Sequence, residues 1–173
     1  FTGHQPSHAL ELRVMKQRID ERAFEFAKKA HEGQFRKYTG EPYIEHCTDV
    51  CNILFKTSYP SAGSSYPLTH RMRELRAICY LHDVVEDCGV TYKELEEAFN
   101  KNVAEGVYWL TDDIPKEHGN RATRKMVTRW KLKRAPALIR NVKYADAISN
   151  AKNIVEHDPN FAKVYLREMN DFL

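Results

Sequence analysis

An apolar stretch at helical spacing runs straight into acids and an imidazole. Leu75, Ala77, Ile78, Cys79, Tyr80 and Leu81 are followed at once by His82-Asp83-Val84-Val85-Glu86-Asp87. A helix that is apolar all round is normally buried, so this one belongs at the centre of the fold. Buried charge is costly unless it is paired or bound to a metal. The chain must therefore bring partners, or a cation, to the end of its own central helix.

Helical spacing dominates the rest of the chain as well. Asp20 is placed to cap a helix through Phe24, Ala27, Ala30 and His31 that ends near Gly33. After the turn Tyr38-Thr-Gly-Glu-Pro42, the residues Ile44, Val50, Ile53 and Leu54 mark a helix from about Tyr43 to Thr57. Ser58 to Pro67 reads as a loop, and one helix is expected from Thr69 to about Val85. Thr91-Tyr-Lys-Glu94 is a capping box that opens a short helix through Phe99, and Val103 to Leu110 is another. Asp112 to Gly119 reads as a loop. Helices then run from Asn120 to Lys133 and from Pro136 to Glu156, and Asp158-Pro159 opens a last one. With no strand alternation, the fold class is all-α, one domain over residues 1–173 with about eight helices.

Composition narrows the class of protein. The chain has 173 residues, 42% apolar and 29% charged, the mixture of a globular domain and not of a long disordered segment. No stretch approaches ~18 consecutive apolar residues, so no membrane span is expected. Phe1-Thr-Gly-His-Gln-Pro6 has no basic region leading into an apolar one, so no secretory signal is read there. Cys47 and Cys51 sit four apart on one helix, and Cys79 lies in the apolar run. With Cys88 they read as thiols of a reducing compartment, and their spacings do not suit a four-cysteine zinc site. A cytoplasmic location is expected. The net charge of +3 hides an asymmetry: Lys116 to Lys143 holds ten Lys and Arg and one acid, Glu117, a local +9. Such a segment suits a phosphate-rich ligand, or is simply a solvated helix face.

Further donors for a cation at His82-Asp83 must come from elsewhere, since adjacent side chains on a helix diverge by roughly 100°. His46 lies on the inward stripe of its helix with Val50 and Ile53, and Asp146 sits in the otherwise apolar Val142-Lys-Tyr-Ala-Asp-Ala-Ile148. Taken singly, His46 is equally a hydrogen-bonded core histidine and Asp146 a cap or an ion-pair partner. Together, two His and two Asp with positions left for water favour Mn²⁺, Fe²⁺ or Mg²⁺ over structural zinc.

In this order the residues resemble the H…HD…D signature of the HD phosphohydrolase superfamily. More narrowly, the chain is similar to the (p)ppGpp hydrolase domain of RelA/SpoT proteins and to the small alarmone hydrolases. The resemblance rests on Ala30-His-Glu-Gly-Gln-Phe-Arg-Lys37, Gly40-Glu-Pro-Tyr-Ile-Glu-His46, Leu81-His-Asp-Val-Val-Glu-Asp87, Phe99…Val103, Arg124-Lys-Met126 and Val142-Lys-Tyr-Ala-Asp146…Asn150. These motifs span residues 20 to 156. It implies an HD-domain helical bundle and a Mn²⁺ ion held by His46, His82, Asp83 and Asp146. Glu86 and Asp87 would handle the protons of the attacking water and the leaving group. Arg36 and Lys37 would sit beside guanine and ribose, and Asn150 at the sugar or base. Arg124, Lys125 and Lys143 would face the pyrophosphate groups. His31 matches a position near the site without a defined role.

The sequence departs from the family pattern at several points. Cys47 replaces a proline, Cys88 a threonine and Tyr144 a leucine. Ala147 stands where a basic residue is usual, Ile148-Ser149 precedes Asn150, and Tyr38-Thr39 lengthens the turn. None removes an expected ligand or acid, while the turn and the Asn150 neighbourhood shape the nucleotide pocket. The expected activity is removal of the 3′-pyrophosphate of guanosine tetra- or pentaphosphate, the alarmones of the stringent response, to leave GDP or GTP. The chain ends soon after these motifs, which reads as a dedicated hydrolase. The competing readings are a phosphatase acting on another nucleotide (the 2′-phosphate of NADPH, or an adenine alarmone) and a protein that binds an alarmone without cleaving it. A nucleic-acid-binding role is disfavoured, because the basic segment lacks interleaved aromatics and a recognisable reader motif.

Overall fold

Helix caps set the element boundaries in the computed structural model, which describes residues 17–58, 68–112 and 120–170. The helices are α1 (Ile19–Ala30), α2 (Ile44–Ser58), α3 (His70–Leu81), α4 (Val84–Cys88), α5 (Tyr92–Ala98), α6 (Lys101–Leu110), α7 (Arg121–Arg134), α8 (Ala137–His157) and α9 (Pro159–Asn170). Thr69, Asn100 and Asn120 each accept a hydrogen bond from the backbone N–H three residues on, satisfying donors that an uncapped helix start leaves open. Thr91 and Glu94 form the expected capping box. Pro159 is the first residue of α9, and Asp158 Oδ1 accepts from Phe161 N. Among the described residues there is no strand, only an isolated bridge between Phe35 and Pro42. Most of the expected loops Ser58 to Pro67 and Asp112 to Gly119 lie outside the described residues.

Two boundaries differ from the sequence reading. Asp20 does not cap α1. It is the second residue of the helix, is buried, and faces Arg73 at 3.5 Å and Arg76 at 3.9 Å on α3. At the start of α1, Glu21 instead accepts from the Arg18 backbone N–H. The second difference is a break in the helix expected from Thr69 to Val85. Asp83 adopts φ −105° and ψ −5°, which ends α3 and starts the short α4. Gly89, at φ +70°, stops α4 in a left-handed conformation that a side chain resists.

The apolar helix is central, as its sequence requires. α3 packs against α1, α2, α6 and α8, and α9 packs on α8. Leu75, Ile78, Leu81, Val50, Leu54, Val103, Val107 and Val142 belong to one continuous core. At ~1.5–3 kcal/mol for each large apolar side chain buried, this cluster supplies the main drive to fold. α6 approaches closely enough that Gly106 has no room for a side chain. A Cβ there would lie 2.3 Å from Ile78 Cδ1 on α3 and 3.4 Å from Ile139 Cδ1 on α8. All four cysteines are free thiols, three of them buried. No described helix is long and apolar enough to cross a membrane.

Asn100 joins two of these helices. It caps α6 and also donates to the buried Glu74 Oε1 at 2.9 Å. Asn100→Ala is expected to lower unfolding free energy by about 1–3 kcal/mol, a lost cap plus a weakened buried carboxylate. Urea denaturation measures this directly, and an unchanged midpoint would mean that the cap contributes nothing.

Candidate metal centre and active site

The helix break is what makes a site. On a continuous helix His82 and Asp83 would diverge; at the break His82 Nε2 and Asp83 Oδ2 lie 3.0 Å apart. His46, in the first turn of α2, brings its Nε2 to 3.7 Å from the same oxygen. Asp146, in the middle of α8, places Oδ1 at 3.3 Å from His46 Nε2 and 3.9 Å from His82 Nε2. His46, His82 and Asp83 thus offer one ligand atom each within 4.8 Å of one another, and Asp146 Oδ1 stands beside both imidazoles.

The far ring nitrogens fix the imidazoles. His82 Nδ1–H donates to the Cys79 carbonyl at 2.8 Å, and His46 Nδ1 is engaged by the Ser149 hydroxyl at 3.1 Å. Both Nε2 atoms are buried and have no hydrogen-bond partner. Two buried ring nitrogens without a hydrogen bond, facing two carboxylates, can offer their lone pairs to a divalent cation with mixed N/O ligation. The electrostatics agree. Burial alone would lower the His82 imidazole, but Asp83 and Asp146 outweigh it and push its pKa up to about 9. Burial works against charge on both carboxylates too. His82 on Asp83, and Lys143 on Asp146, hold them below the usual carboxylate range nonetheless. The potential at this point holds positive charge.

Two cavities meet at this group. The first, about 240 Å³, is bordered by Glu86, Asp87, Asp112, Lys125, Lys143 and Tyr165 among others, and reaches Asp83 and Asp146. The second, about 250 Å³, is bordered by Arg36, Lys37, Tyr38, His46, Asn153 and Phe161 among others. Tyr43 and Asn150 belong to both walls. Lys143 Nζ lies 3.2 Å from Asp146 Oδ2. Burial pulls its ammonium down, but Asp146, Asp83, Asp112 and Glu86 more than offset that and keep it charged. Glu86 opens to the cavity and accepts from Asp112 N at 3.3 Å. Its protein surroundings, with Asp112 and Asp83, push its pKa up to about 7 against the pull of Lys143. Burial, then Asp83, also raises the Asp87 carboxyl. The break puts both acids on the single turn of α4.

The other expected residues are distributed unevenly. Arg36 and Lys37 are presented by the turn between α1 and α2, which is held by Arg36 N to Glu41 O and Tyr43 N to Gln34 O. Asn150 donates to Asp146 Oδ1 at 2.6 Å, so its amide sits beside an expected metal ligand. Of the +9 segment, Lys125 and Lys143 border the first cavity; Arg124 borders neither. His31 also stands apart from both cavities, buried behind Tyr43. Sequence reasoning passed over Tyr43, Ser149, Asp112 and the α9 residues Tyr165 and Glu168. Tyr43 had a local signal, one turn before His46. The α9 residues had none, since only the packing of α9 on α8 brings them to the cavity.

A central helix broken at a His-Asp pair, with a His and an Asp converging from two further helices, defines a class of helical metal-site proteins. Residues 23–170 match the HD domain family, and the chain belongs to it. The chain is 37% identical over 109 residues to a guanosine-3′,5′-bis(diphosphate) 3′-pyrophosphohydrolase of Aquifex aeolicus, a match covering 63% of this chain and 13% of that protein. It is 40% identical over 85 residues to the bifunctional (p)ppGpp synthase/hydrolase SpoT of Escherichia coli, covering 48% of this chain and 10% of that protein. This chain therefore matches only a small part of these much longer relatives. The fold is shared with a solved structure described as a metazoan ortholog of SpoT that hydrolyzes ppGpp. The TM-score is 0.70 at 21% identity, over 98% of this chain and 88% of that one.

Proposed function

We propose that this chain is a Mn²⁺-dependent hydrolase of guanosine tetra- and pentaphosphate, acting in the cytoplasm and releasing pyrophosphate from the 3′ position. The observation that carries the reading is the pair of orphaned Nε2 atoms facing Asp83 and Asp146 at the junction of the two cavities. His46, His82, Asp83 and Asp146 would hold the ion, which supplies Lewis-acid polarisation of a phosphoryl oxygen and a more acidic water.

The remaining steps belong to the chain's own side chains. Lys143 and Lys125 neutralise the pyrophosphate, Lys143 from a half-buried position where charge-assisted bonds are strong. Glu86 accepts the proton of the attacking water as its oxygen bonds to phosphorus. The bond from that phosphorus to the 3′-oxygen breaks, and Asp87 supplies the proton the leaving oxygen needs. Arg36, Lys37 and Asn150 orient the nucleoside in the second cavity, Arg36 by stacking its planar guanidinium.

The test is direct. Protein stripped of metal and reloaded with Mn²⁺ is given guanosine tetraphosphate, and GDP and pyrophosphate are followed. Adenine alarmones and NADPH serve as comparison substrates. Release that requires Mn²⁺ supports the reading. No release from folded, Mn²⁺-loaded protein sinks it.

A further inference from the structure

We infer that His31 is a positioning residue, which acts on the metal ligand Asp83 through the ring of Tyr43. The inference rests on the reading of His46, His82, Asp83 and Asp146 as a cation site.

The chain of contacts begins at the ligand. Tyr43 Oη donates to Asp83 Oδ2 at 2.6 Å. That oxygen is the one facing both His82 Nε2 and His46 Nε2. A carboxylate can turn about its own bond, so something must choose which oxygen points inward. The Tyr43 hydroxyl does so, and its own aim depends on the plane of its ring. Two imidazoles clamp that ring. His31 lies across one face, with ring centroids 4.6 Å apart at 33°, and His46 meets it edge-on at 5.3 Å.

His31 is itself fixed. It is only 3% exposed. Its Nδ1 is 2.8 Å from Gln34 Oε1 and 3.2 Å from Cys88 Sγ. Gln34 in turn donates through Nε2 to the Asp87 carbonyl at 3.3 Å, and its own carbonyl accepts from Tyr43 N at 3.0 Å. The brace therefore ties the end of α1, the turn before α2 and the end of α4 to one carboxylate oxygen. Cys88, one of the departures from the family pattern, is part of it. This gives a use to a buried histidine that touches neither cavity.

Outer partners of a metal ligand typically govern affinity by ~10–100-fold. Mn²⁺ binding to the intact chain, measured by titration calorimetry, is the primary readout, with hydrolysis measured alongside. Tyr43→Phe is expected to weaken Mn²⁺ binding by ~10–100-fold, and His31→Ala by ~10-fold. His31→Phe keeps a ring against Tyr43 and should recover most of that loss. In the Tyr43→Phe background His31→Ala should cost little more, because its path to Asp83 is already cut. A merely structural histidine would lower stability and leave the Mn²⁺ affinity of the folded protein unchanged; that result overturns the inference. If His31→Ala does not fold, Gln34→Ala, which frees the imidazole from one of its holds, decides: it should weaken Mn²⁺ binding by ~3-fold, and no change overturns the inference. Wild-type protein that binds Mn²⁺, shows this coupling and hydrolyses no alarmone would remove the proposed substrate and keep the positioning role. Wild-type protein that binds no Mn²⁺ would overturn both.

Discussion

Asp83→Ala is expected to reduce hydrolysis by ~10³-fold or more while the protein stays folded, since metal-ion stabilisation of a phosphoryl transition state is worth several kcal/mol and each ~1.4 kcal/mol is tenfold in rate. Asp83 Oδ2 is the point on which His82, His46 and Tyr43 converge. Without it, two imidazoles and one carboxylate face the cation position, and the ammonium of Lys143 stands 3.2 Å from that remaining carboxylate. The side chain makes no capping hydrogen bond to α4, so its removal does not uncap the helix. Calorimetric Mn²⁺ titration, thermal melting and pyrophosphate release together separate the outcomes. A variant that keeps both Mn²⁺ and activity would show that Asp83 is not a ligand.

Glu86→Gln is expected to cost ~10²–10⁴-fold in turnover, the usual contribution of a positioned base. It should also change the shape of the pH profile. The carboxyl is raised to about 7, so it is charged above that pH and protonated below it. A base must be unprotonated to act, so wild-type turnover should fall about tenfold per pH unit on the acid side. A bound divalent cation favours the carboxylate and moves this limb to the acid side of 7. In Glu86→Gln the limb should vanish with most of the rate. A variant that loses rate but keeps the limb would assign the proton transfer to another group, with Asp87 next in line.

The helix boundaries were legible because their signals are local. Thr91 with Glu94, Pro159 and the periodic apolar positions of α2 each act within one turn of the chain. The core helix was legible because its C-terminal stretch, Ala77 to Leu81, is apolar on all sides and has nowhere else to go. Asp20 misled because its partners, Arg73 and Arg76, are brought to it by the packing of α1 on α3, and an Asp near a helix start reads as a cap by default. The break at Asp83 was hidden for a related reason. Residues 75 to 85 keep a helical pattern through it, and only the demand that adjacent side chains meet at one point forces the turn.

The candidate site was legible in part. His46, His82, Asp83 and Asp146 could be chosen because ionisable groups among apolar neighbours are conspicuous. The structure brings all four together. The basic segment was conspicuous in the same way and much less informative. Charge marks a surface without saying which way each residue faces. Lys143 is half-buried against Asp146, and Lys125 lies 3.7 Å from Asp112 across the cavity. Arg121, by contrast, borders neither cavity and makes a two-pronged pair with Glu168, which borders the first. Neither Tyr165 nor Glu168 could be found without knowing where α9 lies.

α6 supplies none of the expected site residues, yet Gly106 is where α3 and α8 come close to it. The atoms nearest to its missing Cβ belong to Ile78, one turn before His82, and to Ile139, two turns before Asp146. A side chain at 106 would collide with Ile78, whose side chain or helix must then shift. Loss-of-function screens should therefore recover changes at this buried glycine together with changes at His46, His82, Asp83 and Asp146.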